Sequence, residues 1–294
     1  MRAAAWVLLF LISLLAADGF TSFATSITQK NNSAPTGIKL LTRTTTRREG
    51  RRFGYGGTVT VVGAPTGSIT VEGWPRAEVE VVADIEQKAE SEDDLARLAT
   101  VNGFVFDDDV NHVSILTTGT HDKAFMRRAA KGFPKHLLSQ PWKIDYRIRV
   151  PANIDLEING GRGPIKLSGI EGAIRLSATE GDASLVLTGG IVSATIASGN
   201  VLVSIPVRSW RGGGADVRVA TGTLTVELLP GFNGDIDAEV LRTGRIEDAY
   251  GGLESREKPG ITETIMRARA GVGGAFFKFT VGAGTLLIKK PGAQ

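Results

Sequence analysis

The sequence predicts an all-β chain, a single-stranded β-solenoid (β-helix-like) with short two-arm turns and a small α/β insertion near its N-terminal side. Three observations carry this. Gly163, Gly172, Gly181, Gly190 and Gly199 recur at one fixed interval, and a fixed internal period marks repeat architectures. After each glycine, the second and fourth residues are apolar: Ile165/Leu167, Ile174/Leu176, Ala183/Leu185, Val192/Ala194 and Val201/Val203. The residue between them is Lys166, Arg175, Ser184, Ser193 or Leu202, so each arm alternates like a strand with one dry and one mostly wet face. Between Pro75 and Val150 that period is lost, and a helix-start signal intervenes.

The elements follow in order. Met1-Arg2, the apolar run Ala3 to Ala17 and the small-x-small site Ser22-Phe23-Ala24 make residues 1–24 a cleaved signal peptide. Its apolar run is shorter than the ~20 residues a spanning helix needs. The chain has no cysteine, which excludes a cysteine-linked lipid anchor and a disulfide framework. The expected location is therefore periplasmic, cell-surface or secreted. Residues 25–56 read as a polar basic tether, with Arg43, Arg47, Arg48, Arg51 and Arg52 close together and no clear period. Residues 57–74 hold the first two solenoid strands, Val59/Val61 after Gly57 and Ile69/Val71 after Gly67.

Residues 75–150 read as a strand–helix–strand insertion. Ala77 to Ile85 alternates, and Ser91-Glu92-Asp93-Asp94 then sets a capping residue and an acidic third residue ahead of Leu95, Leu98 and Val101. Val110 to Leu116 returns to strand, Lys123 to Lys131 is a short basic helix ended by Gly132 and Pro134, and Trp142 to Val150 alternates again. Residues 151–290 carry the solenoid repeats, with two arms per turn. Gly163, Gly181, Gly199 and later Gly222 mark one edge, and Gly172 and Gly190 mark the other. Glycine suits corners that turn through positive φ. Phe277 and Phe279 near the terminus are larger than the middle aliphatics and are expected to close the core.

Charge bounds the partners. The 294 residues carry a net charge of +3 with 22% charged residues, which falls short of the basicity of a nucleic-acid binder. The distribution is uneven. Twelve carboxylates between Glu72 and Asp109 face Arg76, Lys88 and Arg97, whereas eight Lys or Arg between Lys123 and Arg149 face Asp145 alone. Two such blocks most simply pair with each other, and separate patches for separate partners are the alternative.

Several stretches resemble a known group of bacterial exported proteins, the putative-adhesin, β-strand-repeat domain family of unknown function. The resemblance lies in Gly67-Ser-Ile-Thr-Val-Glu-Gly-Trp74, in the acidic strand and Glu/Asp-started helix after it, and in Tyr146-Arg-Ile-Arg-Val-Pro151. It continues in strands ending Asn159-Gly160, Glu180-Gly181, Ser198-Gly199, Thr221-Gly222 and Thr243-Gly244. Two features depart from the family, the basic insertion from His121 to Trp142 and the replacement of most Asn-Gly corners by Glu, Ser or Thr before Gly. The resemblance implies an envelope or surface protein with an adhesive role and brings no catalytic residues with it.

Candidate chemistry is sparse. Only Gly181 among the repeat glycines is followed by an aspartate, Asp182, so the corners lack the converging oxygens of calcium-binding rolls. His112, His121 and His136 have no metal-ligand spacing, and neither a metal nor a cofactor is predicted. Asp235, Asp237 and Glu239 alternate onto one outer face, with Arg218, Arg242 and Arg245 expected nearby, and are the weak catalytic candidates. For binding, Phe125, Arg127, Arg128 and Lys131 mix apolar and cationic groups, while Lys166 and Arg175 stand on the wet face of the repeats. The basic segment reads either as a cap over open strands or as a surface for an anionic membrane or glycan. The leading reading is a non-enzymatic exported binding or scaffold protein whose partner is an envelope glycan, an anionic lipid surface or another envelope protein. The alternatives are a polysaccharide lyase or hydrolase on a β-helix, and an envelope-stress or signalling accessory protein.

Overall fold

Apolar residues at every second position make strands of most of this chain, and the computed structural model shows how they pair; it describes residues 40–63, 65–258 and 260–292. The signal peptide and the first part of the tether lie outside these residues. The N-terminal strands are Leu41–Arg52 (β1), Thr58–Val62 (β2), Ile69–Trp74 (β3) and Glu78–Ala89 (β4). Helix Glu92–Ala99 (α1) leads to the hairpin Gly103–Asp109 (β5) and His112–Thr118 (β6). Helix Lys123–Ala129 (α2) and a 3-10 turn at Lys135–Leu137 precede Trp142–Pro151 (β7). The repeats begin with Asp155–Arg162 (β8), Ile165–Ser168 (β9), Ala173–Glu180 (β10), Ala183–Val186 (β11), Gly189–Ile205 (β12) and Arg211–Leu228 (β13). Gly234–Val240 (β14), Gly244–Ala249 (β15), Leu253–Ser255 (β16), Ile265–Ala270 (β17) and Phe276–Lys289 (β18) complete the chain.

The nine-residue spacing appears as parallel, in-register pairing between every second arm. Leu156 lies beside Ile174 and Ile174 beside Val192, while Ile165 lies beside Ala183 and Ala183 beside Val201. Two rows of strands result. One runs β5-β6-β2-β8-β10 and the other β1-β4-β7-β3-β9-β11, and both meet in the long strands β12, β13 and β18. Each long strand carries one arm in each row. Among the described residues all 18 strands therefore form one sheet, which bends back into a nearly closed, barrel-like wall.

The inner face is a set of apolar columns. Val59, Leu156, Ile174, Val192, Ala215, Phe277, Ile236 and Ala268 follow one another in register, and all are buried. The small Ala215 leaves room for Phe277, whose ring meets Trp210, Phe232 and Phe279 with centroids 5.2, 5.3 and 6.4 Å away. Phenylalanines thus fill the C-terminal end of the core, where the sequence predicts them.

The glycine period reflects backbone contact as well as turning. A Cβ on Gly181 would lie 2.2 Å from the Gly163 carbonyl oxygen, and one on Gly199 would lie 2.1 Å from that of Gly181. Gly222 stands likewise at 2.0 Å from Gly199, so these corners stack glycine on glycine. Gly172 and Gly190 form the second stacked edge, with 2.2 Å between a Cβ on Gly190 and the Gly172 oxygen. Asp182, beside one of these corners, ties two turns together. Its Oδ1 accepts from the Asn200 amide at 3.0 Å and from Asn200 Nδ2 at 3.1 Å.

The N-terminal third differs from the simple expectation in two ways. Residues 41–52, read from composition as tether, form β1, which pairs with β4 over its whole length from Leu41↔Ala89 to Arg52↔Glu78. Its side chains are almost all exposed, so no alternation betrays it; β-branched Thr44, Thr45 and Thr46 favour the extended backbone. The insertion also holds more than strand–helix–strand, because β5 and β6 form a hairpin and β6 joins the main wall beside β2. Ser91 caps α1 as its spacing predicts, accepting from the Asp94 amide at 3.2 Å. Helix α1 and the 3-10 turn enclose a small second core of Ala89, Leu95, Leu98 and Leu137, against which Phe133 packs.

Candidate functional site

The acidic row on β14 meets arginines from another quarter than expected. β14 pairs antiparallel with β17, which sets Asp235 opposite Arg269 and Asp237 opposite Arg267. Arg269 Nε donates to Asp235 at 2.8 Å, Arg267 Nε lies 3.4 Å from Asp237, and Arg256 donates to Asp237 as well. Arg218, Arg242 and Arg245 are engaged elsewhere: Arg218 with Asp216, Arg242 with the Ala220 carbonyl and Arg245 with Glu247. The Asp235 hydrogen bond and charge raise the Arg269 guanidinium above its ordinary value. Asp235 and Asp237 are each held by guanidinium groups, and among the described residues Glu239 makes no ion pair. Replacing Asp235 and Asp237 with alanine leaves Arg256, only 22% exposed, without its partners. A loss of about 1–2 kcal/mol is expected, between the values for exposed and buried pairs, and urea unfolding measures it.

Lys166 and Arg175 lie on different rows. Arg175 belongs to an outward column that reads Thr60, Glu157, Arg175, Ser193, Asp216, Lys278, Asp237 and Arg267 across successive strands. Its Nη1 donates to Glu157 at 3.1 Å, so this column neutralises itself. Lys166 makes no ion pair among the described residues. It borders a shallow trough of about 400 Å³ that also exposes Ser184, Asn200 and Thr225 from neighbouring strands.

The acidic block is claimed from both sides. Arg43, Arg48 and Arg51 of β1 pair with Glu92, Glu80 and Asp108. From β7, Lys143 pairs with Glu86, Arg147 with Asp84, and Arg149 with Glu72 and Glu80. The Thr46 hydroxyl, donating at 2.6 Å, holds the Asp84 carboxyl below the usual carboxylate range, and Arg147 adds to this against the cost of burial. Burial works to raise Asp145, but the Ser68 hydroxyl and amide, with Lys143, outweigh it and lower that carboxyl too. Both groups favour the ionised form in the fold. Their contribution is therefore whole above the ordinary value of 3.8 and is lost as pH falls below it. Thermal melts in acid are expected to show a smaller drop for the Asp84→Asn/Asp145→Asn variant than for the natural chain.

The basic helix stands apart from this network. Asp122 caps α2, accepting from the Ala124 and Phe125 amides at 2.8 and 3.0 Å. Met126 turns inward and is buried. Beside it, between α2 and the 3-10 turn, lies a groove of about 710 Å³. Lys123, Arg127, Lys131 and Lys135 line it together with Met126, Ala130, Phe133 and Leu138, and no carboxylate does. Phe125 borders an adjoining hollow of about 350 Å³ with Arg97, Val101 and Pro134, and Arg128 is exposed on the same helix. The six binding candidates thus fall in two places, with Phe125, Arg127, Arg128 and Lys131 around α2 and Lys166 and Arg175 on the wall. Among the described residues, no helix is long and apolar enough to cross a membrane, and no three His, Asp or Glu side chains gather as metal ligands.

No protein-family model matches the chain, and no curated protein matches it. Among solved structures it is similar to a putative cell adhesion protein from Clostridium sporogenes, with 13% identity over 84% of this chain and 100% of that chain and a TM-score of 0.37. A putative adhesin from Bacteroides fragilis gives 9% identity over 83% and 97% and a TM-score of 0.34. A putative lipid binding protein from Parabacteroides distasonis gives 10% identity over 84% and 97% and a TM-score of 0.22. Backbone agreement this loose carries no functional argument.

Proposed function

We propose that this is a non-enzymatic, exported β-solenoid that serves as an adhesin-like binding or scaffold protein at the cell envelope or surface. The observation that supports it most is the trough around Lys166. Lys166, Ser184, Leu202 and Thr225 lie in register on successive strands of one parallel ladder, at the strand spacing of about 4.8 Å, and Asn200 stands two residues before Leu202 on the same strand. A rigid surface on which Lys166, Ser184, Asn200 and Thr225 stand beside half-buried Leu202 and the charged Asp182, Glu227 and Lys289 suits an extended polar ligand such as an envelope glycan. The pairing of Asp235 and Asp237 with arginines also fits a surface evolved for order. Catalysis by that row would need a free acid and base within reach of one bond.

A glycan array with the full chain, beside a pull-down from envelope fractions, tests this. Lys166→Ala with Thr225→Ala is expected to lower retention on the bound glycan at least fivefold, while Asp235→Ala with Asp237→Ala leaves it unchanged. Turnover of a polysaccharide that the aspartate variant abolishes would replace this reading with the hydrolase or lyase.

A further inference from the structure

We propose that the groove between α2 and the 3-10 turn binds an anionic amphiphile, a molecule with an acyl chain and a carboxylate or phosphate head. Charge is the first argument. Most basic side chains around the acidic block find a partner there, but Lys123, Arg127, Lys131 and Lys135 form no ion pair among the described residues. Four like charges around one hollow repel one another and raise the local concentration of anions. The head group of the ligand supplies the missing negative charge, and lysine and arginine form their strongest hydrogen bonds to such oxygens.

Shape is the second argument. Residues on the face of a helix that lies on a bilayer project as an apolar ridge. Here they form the floor of a hollow, since Met126 is 8% exposed and Ala130 and Phe133 are half-buried. Adjacent leucines divide the work: Leu137 is fully buried in the small core, whereas Leu138, 42% exposed, faces the groove. A space of about 710 Å³ lies within the roughly 300–1,000 Å³ of small-molecule sites. An apolar floor with a cationic rim fits a chain laid along the hollow and its head at the edge. A glycan would leave Met126, Phe133 and Leu138 without apolar contact.

Calorimetric titration of the full chain with monomeric dodecanoate and dodecyl phosphate tests this, with dodecyl maltoside as the uncharged control of equal chain length. Both anions are expected to bind at least tenfold more tightly than the maltoside. The exposed-charge variant Lys123→Gln/Arg127→Gln/Lys131→Gln/Lys135→Gln should lose that advantage. Leu138→Glu, which keeps every cation and leaves the small core untouched, should weaken all three at least tenfold. Lys166→Ala should change none of them, so a failed glycan experiment and a failed lipid experiment are separable. Equal binding of the maltoside, no effect of the charge variant, or binding to phosphatidylglycerol vesicles without binding of either monomer would overturn the proposal.

Discussion

Gly199→Ala is expected to lower the melting temperature by about 10 °C or more, a loss of roughly 3–5 kcal/mol. Two costs combine. The residue has φ +144, a region open essentially to glycine alone, and the new Cβ would lie 2.1 Å from the Gly181 carbonyl oxygen. Relief by sliding the corner outward is blocked, because Gly222 stacks on Gly199 in turn, with the same kind of contact at 2.0 Å. Gly54→Ala is the control. It has no positive φ and open space where a Cβ would stand, so its melt should stay within about 2 °C of the natural chain. If the two variants melt together, the stacked corners are not what fixes the spacing of the wall.

Phe277→Ala should cost about 3–5 kcal/mol, the usual range for a buried phenylalanine. The ring is fully buried, sits in register between Ala215 and Ile236, and meets three other aromatic rings. Its removal leaves a hollow that the neighbouring strands cannot close, since each is pinned in a ladder on both sides. With Trp6, Trp74 and Trp142 replaced by phenylalanine in both chains, denaturant unfolding followed by the fluorescence of Trp210, whose ring lies 5.2 Å from that of Phe277, reads both the loss and its location. A Phe277→Leu variant should recover roughly half of the loss.

The sequence revealed those parts of the fold that rest on a repeating local rule. Apolar columns and stacked corners both obey such a rule, so Gly163 to Gly199 and their strands could be read without a partner in view. β1 could not, because an edge strand wet on both sides has no alternation; its meaning lies in the match of its arginines to the acids of β4 and α1. The acidic row shows the same limit. Asp235 and Asp237 were visible as a pair, but the register that brings Arg269 and Arg267 opposite them depends on a chain reversal far along the sequence. The basic segment was legible as a mixture of cations and apolar groups. What distinguishes Lys123 to Lys135 from Lys143, Arg147 and Arg149 is that β7 lies against the acidic strand β4 and α2 does not, a fact of topology.

The antiparallel strands at the margins of the wall have a consequence for assembly. A parallel ladder is in principle endless, because each rung offers the next the same edge it received. Here three of the four margins reverse direction: β5 runs against β6, β1 against β4 and β16 against β17. A second molecule arriving at any of them meets a strand of the wrong polarity to continue the repeat. At β1 it also meets a row of exposed arginines. The fourth margin, β15, is short and carries Arg245 and Glu247 paired to each other. At three of the four margins of the described sheet, the parallel repeat therefore does not present the edge that a further copy of it would extend.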